Sequence, residues 1–103
     1  MSVRPPKFVK VGGHTISVRL KSRKQLSAYG EFDPRRNAIA ITSEACSAVQ
    51  ATTLLHEVLH ACYANIGLLV KSREEEAFVQ AFEPILFQVL RDNPKLIRYI
   101  QEA

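Results

Sequence analysis

The spacing of apolar residues changes once along this chain of 103 residues, and that change limits the fold more than any other feature. Up to about residue 42, apolar and polar residues alternate, which is the period of a half-buried β-strand. From about residue 43, apolar residues recur every three to four positions, as in an amphipathic helix. A chain of this length supports one hydrophobic core. The sequence therefore predicts a single α+β domain over residues 1–103, with residues 1–6 as a flexible tail.

Four strands are predicted in the first part of the chain. The alternating segments form two pairs, each joined by a turn: 8–11 with 15–20, and 26–32 with 37–42. Gly12-Gly13 joins the first pair and suits a tight hairpin, because glycine tolerates positive φ angles. Asp33-Pro34 opens the turn of the second pair. The two hairpins predict a small antiparallel sheet.

Three helices are predicted after the sheet. The expected bounds are Ser43 or Ser47 to Asn65, Ser72 to Arg91, and 94–102. Gly67 is the expected stop of the first helix, and Ser72 followed by Glu75 has the form of a capping box. Pro84 lacks a backbone N–H and is expected to kink or split the second helix. The stripe of the first helix expected to face the core is Leu55, Leu59, Cys62 and Ile66.

Composition excludes several classes of protein. Hydrophobic residues make up 47% of the chain and charged residues 23%, which rules out disorder of the whole chain. Cys46 and Cys62 are too few for a disulfide scaffold. No apolar run is long enough for a secretory signal or a membrane span, so we expect a cytoplasmic protein without a membrane partner. The net charge of +4 permits a nucleic-acid partner without requiring one.

The first predicted helix contains the motif H-E-x-x-H, formed by His56-Glu57-Val58-Leu59-His60. Histidines four residues apart project from one face of a helix, so both imidazoles can reach one metal ion. Glu57 is rotated about 100° from His56, which keeps it off the metal and beside a metal-bound water. The motif predicts a Zn²⁺ site with His56 and His60 as ligands and Glu57 as the general base.

A zinc site of this kind needs a third protein ligand. The second helix offers Glu74, Glu75 and Glu76 in its first turn. The apolar residues of that helix point on average in the direction of Glu75, whereas its two neighbours fall about 100° to either side. A carboxylate on a buried stripe needs a compensating charge, so Glu75 is the expected ligand. Glu74 or Glu76 in its place, and a merely solvated acidic turn, are the alternatives.

These motifs resemble those of the gluzincin zinc metallopeptidases. More specifically, the chain resembles the very small H-E-x-x-H proteins of bacteriophages and prophages, which are related in pattern to ImmA/IrrE-type peptidases. The matching segments, within about residues 29–94, are Tyr29-Gly30 with Asp33 before Ile39-Ala-Ile41, then 53–61, then Glu75-Glu76 with Val79, and 86–94. The resemblance implies zinc-dependent hydrolysis of a peptide or protein substrate in the cytoplasm of a bacterium or a phage-infected host cell.

Two further site features are expected. The segment 37–42 is expected to be an edge strand. In the resembled families that strand borders the cleft, and an extended substrate can pair with such an edge as an added strand. Ile39, Ala40 and Ile41 are therefore the expected substrate-binding residues. Tyr63 lies one helical turn beyond His60 and is a candidate donor to the oxyanion, and Tyr29 is the other.

Two other functions stay open at this point. One is a zinc-stabilised binding module without turnover, because a chain this small has little room for a cleft. The other is a nucleic-acid-associated protein that uses a basic N-terminal sheet, where Lys21, Arg23 and Lys24 lie. We rank the peptidase first, the zinc module second and the nucleic-acid binder third.

Overall fold

The computed structural model describes residues 4–65 and 73–103. Its elements are β1 Phe8–Val11, β2 His14–Lys21, a short 3-10 helix Arg23–Gln25, β3 Gly30–Asp33, β4 Ala38–Thr42, α1 Ser47–Asn65, α2 Arg73–Asp92 and α3 Pro94–Glu102. The predicted α+β class is confirmed, because an N-terminal four-stranded sheet is followed by two long helices and a short one. The expected core position Ile66, the helix stop at Gly67 and the helix cap at Ser72 lie outside the described residues.

The sheet is mixed, with strand order β1-β2-β4-β3. Both predicted hairpins are confirmed, since β1 pairs with β2 and β3 pairs with β4 in antiparallel fashion. The two hairpins meet through β2 and β4, which run parallel. The prediction of a purely antiparallel sheet is therefore wrong for this one pair. Alternation identifies strands and their faces, but it does not say which strand of one hairpin lies beside the other hairpin.

β4 is a central strand, so the prediction of a substrate-binding edge at Ile39, Ala40 and Ile41 is wrong. These residues are only 1%, 6% and 0% exposed. Both edges of β4 are already paired, one with β2 and the other with β3. Its continuous apolar run is typical of a strand that is covered on both sides. The edge strand on this side of the sheet is β3, whose Glu31 and Asp33 suit an exposed edge.

α1 packs on one face of the sheet and closes the core. Leu54, Val58 and Ala61 of this helix contact the buried strand residues Val11, Ile16, Val18, Ile39 and Ile41. The predicted core stripe is therefore displaced by one residue, and Cys62 is exposed. The apolar spacing correctly indicates a helix, but Leu55 and Leu59 are as apolar as Leu54 and Val58, so the sequence does not show which pair faces the sheet. The observed orientation of α1 turns Glu57 toward the sheet.

Pro84 was expected to kink or split the second helix, and α2 is one helix from Arg73 to Asp92 with Pro84 inside it, so it is not split. α3 begins at Pro94, which occupies the first turn as expected, and Asn93 precedes it. Within residues 4–65 and 73–103, no helix combines the length and the apolar character that crossing a lipid bilayer requires.

The turn between β1 and β2 gives a test of this fold. Gly12 has a φ of 59°, and a Cβ there would overlap the side chain of Asn65 at the end of α1. We expect Gly12→Ala to lower the free energy of unfolding by about 1–2 kcal/mol, because the left-handed conformation disfavours a side chain. Urea denaturation measures the change.

Gly13→Ala is the matched control for Gly12→Ala. A Cβ at Gly13 meets no atom within 4 Å, so we expect a change below about 0.5 kcal/mol. Equal losses of stability in the two variants would contradict the described turn.

Candidate metal centre

The middle of α1 places two imidazoles side by side. The Nε2 atoms of His56 and His60 are 3.3 Å apart, and the ring centroids are separated by 5.0 Å. Two ligand atoms bound to a tetrahedral zinc ion at 2.0–2.1 Å would be about 3.3 Å apart. The structure therefore brings the two histidines to the spacing that a shared ion requires, and their role as ligands stays a prediction.

Glu76 completes this cluster. Its Oε1 lies 3.2 Å from Nε2 of His56, and its Oε2 lies 2.9 Å from Nε2 of His60. One ligand atom from each of the three residues falls within 4.8 Å of the other two. Two imidazole nitrogens and a carboxylate oxygen are donors that zinc accepts. Glu76, which the sequence offers as an alternative to Glu75, is thus the candidate third ligand.

Glu75 contacts the opposite nitrogen of His60 and takes a different position from the one expected. Its Oε2 lies 2.6 Å from Nδ1 of His60, and the residue is 8% exposed. The prediction that Glu75 lies on the buried face of α2 is correct, but its partner there is an imidazole. A carboxylate that accepts the Nδ1 proton holds the ring with Nε2 turned toward Glu76 and His56. Glu74 is exposed and lies outside the cluster.

Glu57 is buried next to the cluster and is not part of it. Burial raises the pKa of its carboxyl group to about 7, against the opposing effect of His60, and the nearby Glu76 and Glu31 raise it further. The residue is 7% exposed because α1 turns it toward the sheet. It lies beside Gly30, where a Cβ would be 3.2 Å from Oε2 of Glu57. A carboxyl group with a pKa near 7 can both accept and donate a proton at neutral pH.

The cluster opens on a cavity of about 410 Å³ that is lined by α1, α2 and the segment leading into β3. Tyr29 lines this cavity. Tyr63 instead packs against Phe78, with ring centroids 6.5 Å apart, and does not line it. Of the two tyrosines considered as donors to an oxyanion, Tyr29 is therefore the better placed.

A larger groove of about 780 Å³ lies between the first half of α1 and the last turns of α2. The described residues that line it are mainly apolar, and its charged residues are Arg4 and Arg91. They include no carboxylate, imidazole or thiol that could bind a metal ion or transfer a proton. Of these two cavities, the smaller one contains the imidazole and carboxylate groups.

Two residues of the smaller cavity were not foreseen as functional. Gly30 begins β3, and a glycine at that point signals close approach of the strand to another element. Glu83 lies seven residues after Glu76, which is about two helical turns and thus the same face of α2. That spacing is visible in the sequence once Glu76 is known to face the cluster.

Comparisons of the chain with protein-family models, with curated proteins and with solved structures find no match. The resemblance to small H-E-x-x-H peptidases therefore rests on the motifs quoted above.

The contact between β3 and α1 gives a second test. A Cβ on Gly30 would lie 2.6 Å from Cγ2 of Thr53. We expect Gly30→Ala to lower the free energy of unfolding by about 1–3 kcal/mol, because the added methyl group overpacks this contact. Thr53→Ser removes only Cγ2 and should restore much of the loss when the two changes are combined. Urea denaturation of the four proteins measures the coupling, and strictly additive losses would show that this contact is not the cause.

Proposed function

We propose that this protein is a zinc-dependent metallopeptidase in which Glu57 is the general base. One observation carries the proposal: three donors, from His56, His60 and Glu76, converge on one point, while the carboxylate of Glu57 is buried beside them on the same helix. A site that only binds metal needs the three donors. It has no need of a fourth, desolvated carboxyl group next to them, and burying such a group is unfavourable without a compensating interaction.

The donor set fits a catalytic rather than a purely structural zinc ion. Catalytic sites use three protein ligands and leave one position for water or substrate, whereas structural sites use four protein ligands. The bound ion would lower the pKa of a water molecule toward 7 and polarise the carbonyl group of the substrate. Glu75 orients His60 from its other nitrogen, as carboxylates commonly do for histidine ligands of zinc.

The residues around the cluster supply the proton transfers. Glu57, buried beside the proposed ligands on the same helix, would accept a proton from the attacking water and donate it to the leaving amine. Tyr29 lines the same cavity and is our candidate donor to the developing oxyanion.

The exposed edge of β3 is the surface on which we expect an extended substrate to bind. The N–H of Thr42 donates to the carbonyl of Tyr29 over 2.8 Å, which fixes the phase of the β3–β4 ladder. In an antiparallel pair the hydrogen-bonding direction alternates, so Gly30 and Phe32 direct their backbone groups away from β4. A peptide can add to this edge, which takes the place of the edge first expected at 37–42.

The alternative of nucleic-acid binding through the sheet receives no support from the charge on that surface. Arg19 and Lys21 of β2, together with Arg36, share one pocket on the sheet with Glu31 and Asp33 of β3. Two acidic side chains among three basic ones make the surface mixed in charge, and phosphate binding favours a basic patch.

The ligand assignment predicts a distinct pattern of metal loss. We expect stoichiometric zinc in the purified protein and its loss in both His56→Ala and Glu76→Ala. Glu75→Gln should retain zinc with about 10–100-fold weaker affinity, because it perturbs only the orientation of His60. Elemental analysis and chelator competition measure these changes, with Glu74→Gln as the matched control that should leave affinity unchanged. Retention of zinc in Glu76→Ala together with its loss in Glu75→Ala would reverse the assignment of the two glutamates.

Substitution of Glu57 separates catalysis from metal binding. Glu57→Gln should retain zinc and lose about 10²–10⁴-fold in rate, because an amide cannot accept the proton of the water. Cleavage of a randomised peptide library, followed by mass spectrometry, measures the rate. Full activity in this variant would refute Glu57 as the base. Stoichiometric zinc with no cleavage by the unmodified protein would favour the binding module without turnover.

A further inference from the structure

We propose that the substrate carries a lysine or arginine side chain close to the scissile bond and that Glu83 binds it. This inference rests on the proposed peptidase function and deepens it by naming a substrate class. Glu83 is not a member of the metal cluster, and the proposed mechanism gives it no part in proton transfer.

Glu83 lies in the same cavity as the cluster, at a distance that an extended substrate can span. It lines the 410 Å³ cavity and is partly buried. Seven residues of helix separate it from Glu76, which corresponds to about 10 Å along the axis of α2. An extended peptide advances about 3.3 Å per residue, so a side chain bound at Glu83 belongs to a residue within about three positions of the scissile bond.

The charges around the cavity favour a cation at this position. Its charged lining residues are Glu57, Glu76 and Glu83, and no lysine or arginine is among the described residues that line it. A divalent ion would balance the first two carboxylates, which leaves the charge of Glu83 uncompensated. Within the part of the chain that the structure describes, Glu83 forms no ion pair.

The guanidinium group of Arg23 lies beside Tyr29 and forms no ion pair with Glu83. Arg23 lies over the ring of Tyr29, 5.1 Å from its centroid, and donates to the carbonyl of Leu26 over 2.9 Å. It is therefore engaged next to the cavity and is not part of the lining. An ammonium or guanidinium group of the substrate would supply the missing charge to a partly buried carboxylate, where charge-assisted hydrogen bonds are stronger than at a fully exposed position.

Cleavage of a randomised peptide library by the zinc-loaded protein tests the inference. We expect lysine and arginine to be enriched at one position within three residues of the cleaved bond. Glu83→Gln should reduce this preference about tenfold while neutral sequences are still cleaved, and Glu83→Lys should shift the preference toward aspartate and glutamate. Glu74→Gln makes the same change of charge on the same helix outside the cavity, and it should leave the preference unchanged.

A binding measurement gives a readout that does not depend on turnover. The Glu57→Gln variant, loaded with zinc, should bind a peptide with lysine at the preferred position about tenfold more tightly than the same peptide with norleucine. The difference should disappear when Glu83→Gln is added. Calorimetry or fluorescence anisotropy measures both affinities.

The outcomes separate this inference from the function on which it rests. Cleavage without a preference for basic residues, or an unchanged preference in Glu83→Gln, overturns the inference and leaves the peptidase proposal standing. Absence of cleavage of every sequence by the zinc-loaded protein contradicts the peptidase proposal, and the inference falls with it.

Discussion

The imidazole of His60 joins the two long helices through contacts at both of its ring nitrogens. Its Nδ1 contacts Glu75 and its Nε2 contacts Glu76, so one side chain of α1 engages two consecutive residues of α2. Polar groups in such a partly buried position are stable only when they are paired. The contact of Nδ1 with Glu75 orients the ring so that Nε2 points toward His56 and Glu76. The cavity and the three-donor cluster both depend on that arrangement.

The sequence predicted the elements well because local signals define them. Proline at the first position of α3, glycines in the first hairpin and the switch in apolar spacing are all local properties. The order of the strands is not local. The alternation of 37–42 does not say that β4 lies between β2 and β3. The apolar run Ile39, Ala40 and Ile41, all buried in the structure, is the signal in the sequence that favours a central strand over an edge strand.

The arrangement of the candidate ligands was predicted in part, and the differences again arise from packing that the local sequence does not contain. The spacing of His56 and His60 determines that their rings meet, since both lie on one helix. Whether Glu75 or Glu76 completes the cluster depends on the position of His60 relative to α2, which the sequence of α2 alone does not contain. The apolar stripe correctly placed Glu75 on the buried face, yet the cluster forms at the side of that face. Likewise, Glu57 is buried because the face of α1 that packs on the sheet lies one residue earlier in the sequence than the predicted stripe.

The small size of the chain does not exclude a substrate cleft, because a cavity of about 410 Å³ adjoins the donors. We propose that these donors hold one zinc ion and leave one coordination position open. Anomalous diffraction at the zinc edge, from crystals grown with zinc, tests it most directly. We expect one peak at bonding distance from Nε2 of His56, Nε2 of His60 and a carboxylate oxygen of Glu76, with Glu57 unbound. A peak elsewhere, or these three side chains pointing apart in the presence of ample zinc, would contradict it.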